Sequence, residues 1–222
     1  MIFLVSKNNP WSERLYSQLS KMVDCAWYTD GTYRSDLEVL KPSWVFFFHW
    51  SRIVPEDTFN SHRCVVLHTG NLPADRGGSP IQNQILDGTI ESKVNAIEMS
   101  AEVDGGGVYA SLPITLQGSV DDVWMTIADR ALLLIQECVE KSLKPTPQQG
   151  IPRVYKRNRN NILPLANAVS TLEIHRFIQM LDSDYYPNAF IDIGDFRLEF
   201  SRSQLRNKEL TADVKIRKLR NE

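Results

Sequence analysis

The chain is poor in cysteine and close to neutral, and both features narrow what it can be. Cys25, Cys64 and Cys138 are its only cysteines in 222 residues, too few and too scattered for a disulfide framework. Two of them sit inside apolar runs, which suits reduced, buried thiols in a reducing compartment. With 25 basic and 27 acidic residues, net charge −2, the chain lacks the basic footprint that nucleic-acid binding needs. Its opening, MIFLVSKN, meets polar residues at once, so it reads as neither a secretion signal nor a membrane span. A cytoplasmic protein with no membrane partner is expected. The residues after Val5 are Ser6-Lys7-Asn8-Asn9-Pro10, which excludes a dinucleotide fingerprint at that turn. Walker-type loops and GxSxG elbows are also missing. His62, Cys64 and His68 do not suggest a metal site, because an extended strand spreads them over roughly 20 Å at about 3.3 Å per residue.

What is present is an alternation of short β-branched or aromatic runs with helical patterns. Ile2–Val5, Cys25–Tyr28, Trp44–Phe48 and Cys64–Leu67 read as strands. Helical spacing links Trp11, Leu15, Leu19 and Met22, and a short helix runs through Leu37 and Leu40. Such an order predicts βαβ units and a parallel sheet. Residues 93–99 and 107–113 read as further strands, and Val120–Leu143 as the longest amphipathic helix. The expected organisation is an α/β domain over 1–143, a Pro-rich linker over 144–152, and a small C-terminal extension over 153–222 built from a helix at Thr171–Leu181 and three short strands. The basic tail from Lys208 to Arg220 reads as a solvated strand face.

The stretch from Arg63 to Gln84, RCVVLHTGNLPADRGGSPIQNQ, concentrates the chemistry. Its strand delivers His68 to a carboxyl-terminal mouth, where ligands gather in open α/β sheets. Ser79 as N-cap and Pro80 at the first position then predict a helix through Leu86. The neighbouring strand ends in His49-Trp50-Ser51, and adjacent parallel strands would bring both imidazoles to one cleft. A further turn, Glu102-Val103-Asp104-Gly105-Gly106-Gly107, offers Asp104 either as an Asx-type turn residue or as a carboxylate meeting His68. His68 itself reads either as a satisfied core histidine or as a reacting group.

These motifs resemble the family of formyltransferases that use 10-formyltetrahydrofolate. Its pattern of a strand ending in Asn-x-His, a loop S-L-L-P-x-x-R-G-x-x-P, and a later Asp before glycine is matched by Val66-Leu67-His68, Leu72-Pro73, Arg76-Gly77, Pro80-Ile81-Gln82 and Asp104-Gly105-Gly106. The Tyr155-Lys156-Arg157 segment, Phe177–Asp182 and Tyr186–Ile191 are similar to the tails of bacterial amino-sugar formyltransferases of the pseudaminic-acid type. The tRNA enzyme of the family is longer and carries a nucleic-acid-binding C-terminal domain, so the amino-sugar branch is the expected one.

The resemblance implies a Rossmann-like α/β formyltransferase fold with a mostly parallel sheet and a small β-rich extension. It implies 10-formyltetrahydrofolate as cofactor and a nucleotide-linked amino sugar as small-molecule substrate, with no nucleic acid. His68, Asp104 and His49 are the expected catalytic residues. Trp50, Ser51, Gly105 and Gly106 would hold the cofactor; Arg76, Gly77, Gly78, Asn83 and Lys156, with Arg157 beside it, the substrate. No metal is expected, and the exposed strand edges of the tail suit pairing with a second copy into a homodimer.

One departure stands out. The family's Asn is Val66 here, on the same strand face as His68, and valine cannot donate to a developing oxyanion. Losing one such donor costs about 10²–10³ in rate. His49 is the expected replacement, ahead of Asn71 and Asn83. The alternatives are a binding module of the same fold with impaired catalysis, and a hydrolase releasing formate to water.

Overall fold

The computed structural model describes residues 1–157 and 159–219. In chain order it runs β1 (Ile2–Ser6), α1 (Pro10–Leu19), β2 (Cys25–Tyr28), α2 (Tyr33–Leu40), β3 (Val45–Phe48), α3 (Glu56–Ser61), β4 (Cys64–Thr69), β5 (Arg76–Gly77), α4 (Pro80–Leu86), β6 (Glu91–Glu98), β7 (Val108–Thr115), α5 (Val120–Lys141), β8 (Val154–Tyr155), α6 (Thr171–Gln179), β9 (Ala189–Ile193), β10 (Phe196–Arg206) and β11 (Glu209–Lys218). Among the described residues no helix is long and apolar enough to cross a membrane.

Six strands form one sheet in the order β2-β1-β3-β4-β6-β7. β2, β1, β3 and β4 are parallel, and β6 turns antiparallel to β4. The parallel strands are continuous apolar runs because both of their faces are covered. On one face Val45 and Phe47 join Phe3, Val5, Tyr33, Leu37 and Cys64 in a buried cluster. From the other, Phe48 meets Trp124 edge-on, and Trp124 stacks on Trp11 with ring centroids 5.4 Å apart.

The chain divides into two compact units. The first holds residues 1–77, 91–114 and 124–155, and thus the six-stranded sheet and the segment 144–152 expected as a linker. The second holds 78–90, 115–123 and 156–222. Within it, α4 packs with α6, and the Gln179 side chain donates to the carbonyls of Leu116 and Gly118. These long-range contacts join 78–90 and 115–123 to 156–222 in one unit, whereas the sequence suggested a linker over 144–152. The three-stranded antiparallel sheet β11-β10-β9 completes this unit. The described part of the basic tail is β11, most of which is exposed; Arg220 lies outside the described residues.

Local details depart from expectation. α1 ends at Leu19, where Ser20 and the turn bonds that follow close it, leaving Met22 53% exposed instead of on its apolar face. α3, which hydrophobic spacing did not reveal, starts after Pro55 with Glu56 and Asp57 in its first turn, both favourable at a helix N-terminus. Ser79 occupies the cap position of α4 but is left-handed (φ 51) and makes no side-chain cap bond.

Candidate active site

β4 is held between β3 and β6 with Phe47 opposite Val66 and Asn95 opposite His68. Val66 and His68 therefore point to the face that carries Cys64 and Phe47. Val66 is half-buried there, whereas its strand neighbours on either side are fully buried. Asn95, on the same face, spends its amide hydrogens on the carbonyls of His68 and Gly70 and accepts from the Ser111 hydroxyl. It braces the end of β4 and has no hydrogen left for a ligand.

The structure brings His68 and Asp104 together. His68 Nδ1 lies 3.4 Å from Asp104 Oδ2, with side chains only 6% and 13% exposed. At the other ring atom, Nε2 is 2.7 Å from the Asp75 carbonyl oxygen. A carbonyl only accepts, so Nε2 carries hydrogen and Nδ1 is the atom presented to Asp104. Asp104 sits in left-handed backbone (φ 51), which Asp tolerates better than most residues. Its Oδ2 also accepts from the Gly77 amide at 2.9 Å, while Oδ1 has no protein partner among the described residues.

The turn around Asp104 is tightly packed. A Cβ at Gly106 would stand 1.9 Å from the Glu98 carbonyl oxygen, and one at Gly105 2.3 Å from the Glu102 carboxylate. The glycines thus admit close approach by the chain itself. Arg76, buried, binds Glu102 Oε1 at 2.7 Å and Gln148 Oε1 through Nε and Nη2. It clamps the turn that carries Asp104. Gly77 is left-handed (φ 96), and a Cβ there would stand 2.4 Å from the Tyr155 carbonyl oxygen.

His49 is placed differently from the shared cleft that adjacent strand mouths suggested. Its backbone is left-handed (φ 48), which turns the ring onto Trp124 at 4.3 Å and beside Trp11, on the Phe48 side of the sheet. Trp11 Nε1 donates to His49 Nδ1 at 3.1 Å, and Asn9 Nδ2 lies 3.0 Å from the same atom. Indole N–H only donates, so Nδ1 accepts and the proton resides on Nε2. His49 is thereby a fixed hydrogen-bond donor at Nε2. The weaker candidates are committed elsewhere: Asn71 Nδ2 faces the Glu91 carbonyl, and Asn83 Nδ2 the carbonyls of Gly78 and Lys156.

Trp50 packs edge-on to Tyr33, and its buried Nε1 has no hydrogen-bond partner among the described residues. Ser51 is exposed. In the second unit a Cβ on Gly78 would crowd Arg157, and Lys156 is exposed. A cavity of about 350 Å³ lined by His62, Arg63, Cys64, Tyr109 and Lys144 lies at the amino-terminal end of β4, four residues or about 13 Å from His68, and does not include the His68–Asp104 pair. Asp75, Asn95, Gln148 and Arg153 gave no sequence signal, because their partners are chosen by long-range contacts rather than by spacing.

Residues 161–217 match the family model of the methionyl-tRNA formyltransferase C-terminal domain, a domain the chain was expected to lack. A methionyl-tRNA formyltransferase of Francisella tularensis is 32% identical over 191 residues, 80% of this chain and 60% of that protein. The chain thus spans about 60% of the length of the curated Francisella relatives it matches. A structure described as methionyl-tRNA formyltransferase from Clostridium thermocellum superposes with a TM-score of 0.89 at 30% identity, covering 98% of this chain and 99% of the other. An N-formyltransferase from Helicobacter canadensis, in complex with folinic acid and dTDP-3-aminofucose, has the same fold at 13% identity and a TM-score of 0.63, covering 89% of this chain and 94% of the other.

Proposed function

Because the chain belongs to the formyltransferase family of methionyl-tRNA formyltransferase-like proteins, we propose that it moves a formyl group from 10-formyltetrahydrofolate to the amine of a nucleotide-linked amino sugar. The observation that carries this is the buried His68–Asp104 contact with His68 Nε2 tied to Asp75. An attacking amine must lose a proton as its nitrogen bonds to the formyl carbon, and the formyl oxygen gains negative charge. Asp104, with Oδ1 open, takes the amine proton, which would pass to the folate nitrogen as its bond to the formyl carbon breaks and tetrahydrofolate leaves. His68 Nδ1, which faces Asp104, would carry the proton between that carboxylate and the reacting groups. His49, turned to the Phe48 side of the sheet, is not placed to take the task of the family's Asn. No covalent bond to the enzyme is needed.

The cofactor would supply the activated formyl carbon, and Trp50, Ser51 and the turn at Gly105-Gly106 would hold it. The orphaned Trp50 Nε1 and the acid–base pair suit such a ligand. Gly77, Gly78, Asn83 and Lys156 would shape the substrate side. The amino-sugar substrate is supported by the near-zero net charge and by the amino-sugar complex of the Helicobacter neighbour.

A second reading, methionyl-tRNA as acceptor, is favoured by the match of residues 161–217. Purified protein incubated with 10-formyltetrahydrofolate and, in parallel, dTDP- and UDP-linked amino sugars or charged methionyl-tRNA separates the two. Formylated sugar by mass spectrometry is expected; formylated methionyl-tRNA alone would transfer the assignment to the second reading. Cofactor binding without any product would mark a catalytically impaired module, and formate release without an amine a hydrolase.

A further inference from the structure

We propose that the segment from Pro145 to Tyr155 is a two-armed strap that sets the distance between His68 and Asp104, with Gln148 and Arg153 as its positioning residues. Its kinetic consequence rests on the formyl-transfer reading; its geometry does not. The strap is anchored where Thr146 and Val108 exchange two backbone hydrogen bonds of 2.8 and 2.9 Å.

The first arm is Gln148. Its Oε1 accepts from Arg76 Nε at 3.1 Å and Nη2 at 2.9 Å, and its Nε2 donates to the Asp104 and Gly106 carbonyls at 2.8 Å each. Both amide hydrogens are thus used, and the oxygen is bound twice. Left-handed backbone at a non-glycine residue persists only where its surroundings over-determine it, and Gln148 supplies that restraint at Asp104 from 44 residues away.

The second arm is Arg153. Its backbone bonds the Pro73 carbonyl and the Arg76 amide. Its Nε donates to the Ala74 carbonyl, and its Nη2 meets Asp75 Oδ1 at 2.9 Å. Asp75 Oδ2 accepts from the Asn71 amide, and its own carbonyl receives His68 Nε2. A Cβ at Gly70 would stand 2.7 Å from Asp75 Cβ, so this loop has little room to shift. One continuous segment therefore fixes the backbone of the carboxylate and the acceptor that orients the imidazole.

Gln148→Glu keeps an acceptor for Arg76 but removes both donors, and Arg153→Lys keeps the charge but loses the fork. Histidine side-chain ¹⁵N spectra, assigned with His68→Gln, read the geometry without any acceptor substrate. In Gln148→Glu the His68 Nε2–H signal should persist while Nδ1 moves. In Arg153→Lys the Nε2 proton should lose its protection from exchange. Where transfer is measurable, kcat should fall about a hundredfold, as for a misplacement near 1 Å, with KM for the formyl donor within about threefold. The exposed neighbour variant Gln149→Glu should match wild type in every readout. If Gln148→Glu does not fold, Gln148→Asn, one methylene shorter, should show the same Nδ1 displacement. His68 signals identical to wild type in both arms would overturn the strap. A wild-type protein that formylates nothing would instead overturn the functional reading, leaving the spectra to decide the strap.

Discussion

Two neighbouring strand mouths, β3 and β4, each end an apolar run in histidine, yet they surround it with different chemistry. The Phe48–Leu67 register sets the two backbones side by side, about 5 Å apart. His49 is enclosed by aromatic rings and accepts at Nδ1 from an indole donor. His68 is bracketed by a carbonyl and a carboxylate. The partners of the imidazole set what each mouth can offer: an aromatic cage at one, a carboxylate contact at the other.

The contrast breaks most sharply at β4. His68→Ala or Asp104→Asn should lower formyl transfer by about 10²–10⁴, the worth of positioned acid–base chemistry, with the circular dichroism spectrum unchanged. Near-normal turnover in either variant would remove the pair from the reaction.

At β3, His49→Phe keeps the aromatic packing and leaves the Trp11 indole without its acceptor, so stability should fall by about 1–3 kcal/mol in denaturant unfolding while turnover falls far less than in the β4 variants. A loss of about 10²–10³ in turnover would instead make His49 a donor to the reacting oxygen. The comparison sharpens with Val66→Asn, which restores the family's donor on the face of His68 and should raise turnover, by up to about 10²–10³.

Support for the fixed tautomer should cost less. Asn9 caps α1 by accepting from the Ser12 amide and also contacts His49, so Asn9→Ala should lose about 1 kcal/mol in denaturant unfolding and only a few-fold in turnover.

A separate test concerns pH. Burial pushes the thiols of Cys64 and Cys138 up to about 12. Below the unfolded value of 9 both states keep the proton. Between 9 and 12 only the unfolded chain releases it, so stability should decline with rising pH across that window. A Cys64→Ala, Cys138→Ala variant should show a flatter denaturant midpoint over pH 9 to 11.

The parallel strands were legible in the sequence from local rules, and the meeting of His68 with Asp104 from the family resemblance, the residues alone leaving Asp104 open between a turn residue and a partner of His68. Buried parallel strands read as unbroken apolar runs, and an Asp before three glycines marks a turn that a left-handed residue can enter. The aromatic enclosure of His49 was not legible, since it depends on one positive φ and on Trp124, 75 positions later. The strap was missed for a related reason: Pro145, Pro147 and Pro152 have linker composition, while the bonds of Gln148 and Arg153 join side chains to distant backbone and leave no period in the sequence. Ser79 misled because a good capping residue cannot cap from left-handed backbone.

The bridge between Thr146 and Val108 has an effect on solubility as well. β7 closes the six-stranded sheet on one side, and an open strand margin is a template for unwanted pairing between molecules. By occupying the first rung, Thr146 confines any foreign strand to the stretch from Tyr109 onward, so the segment that braces His68 and Asp104 also blunts one starting point for aggregation.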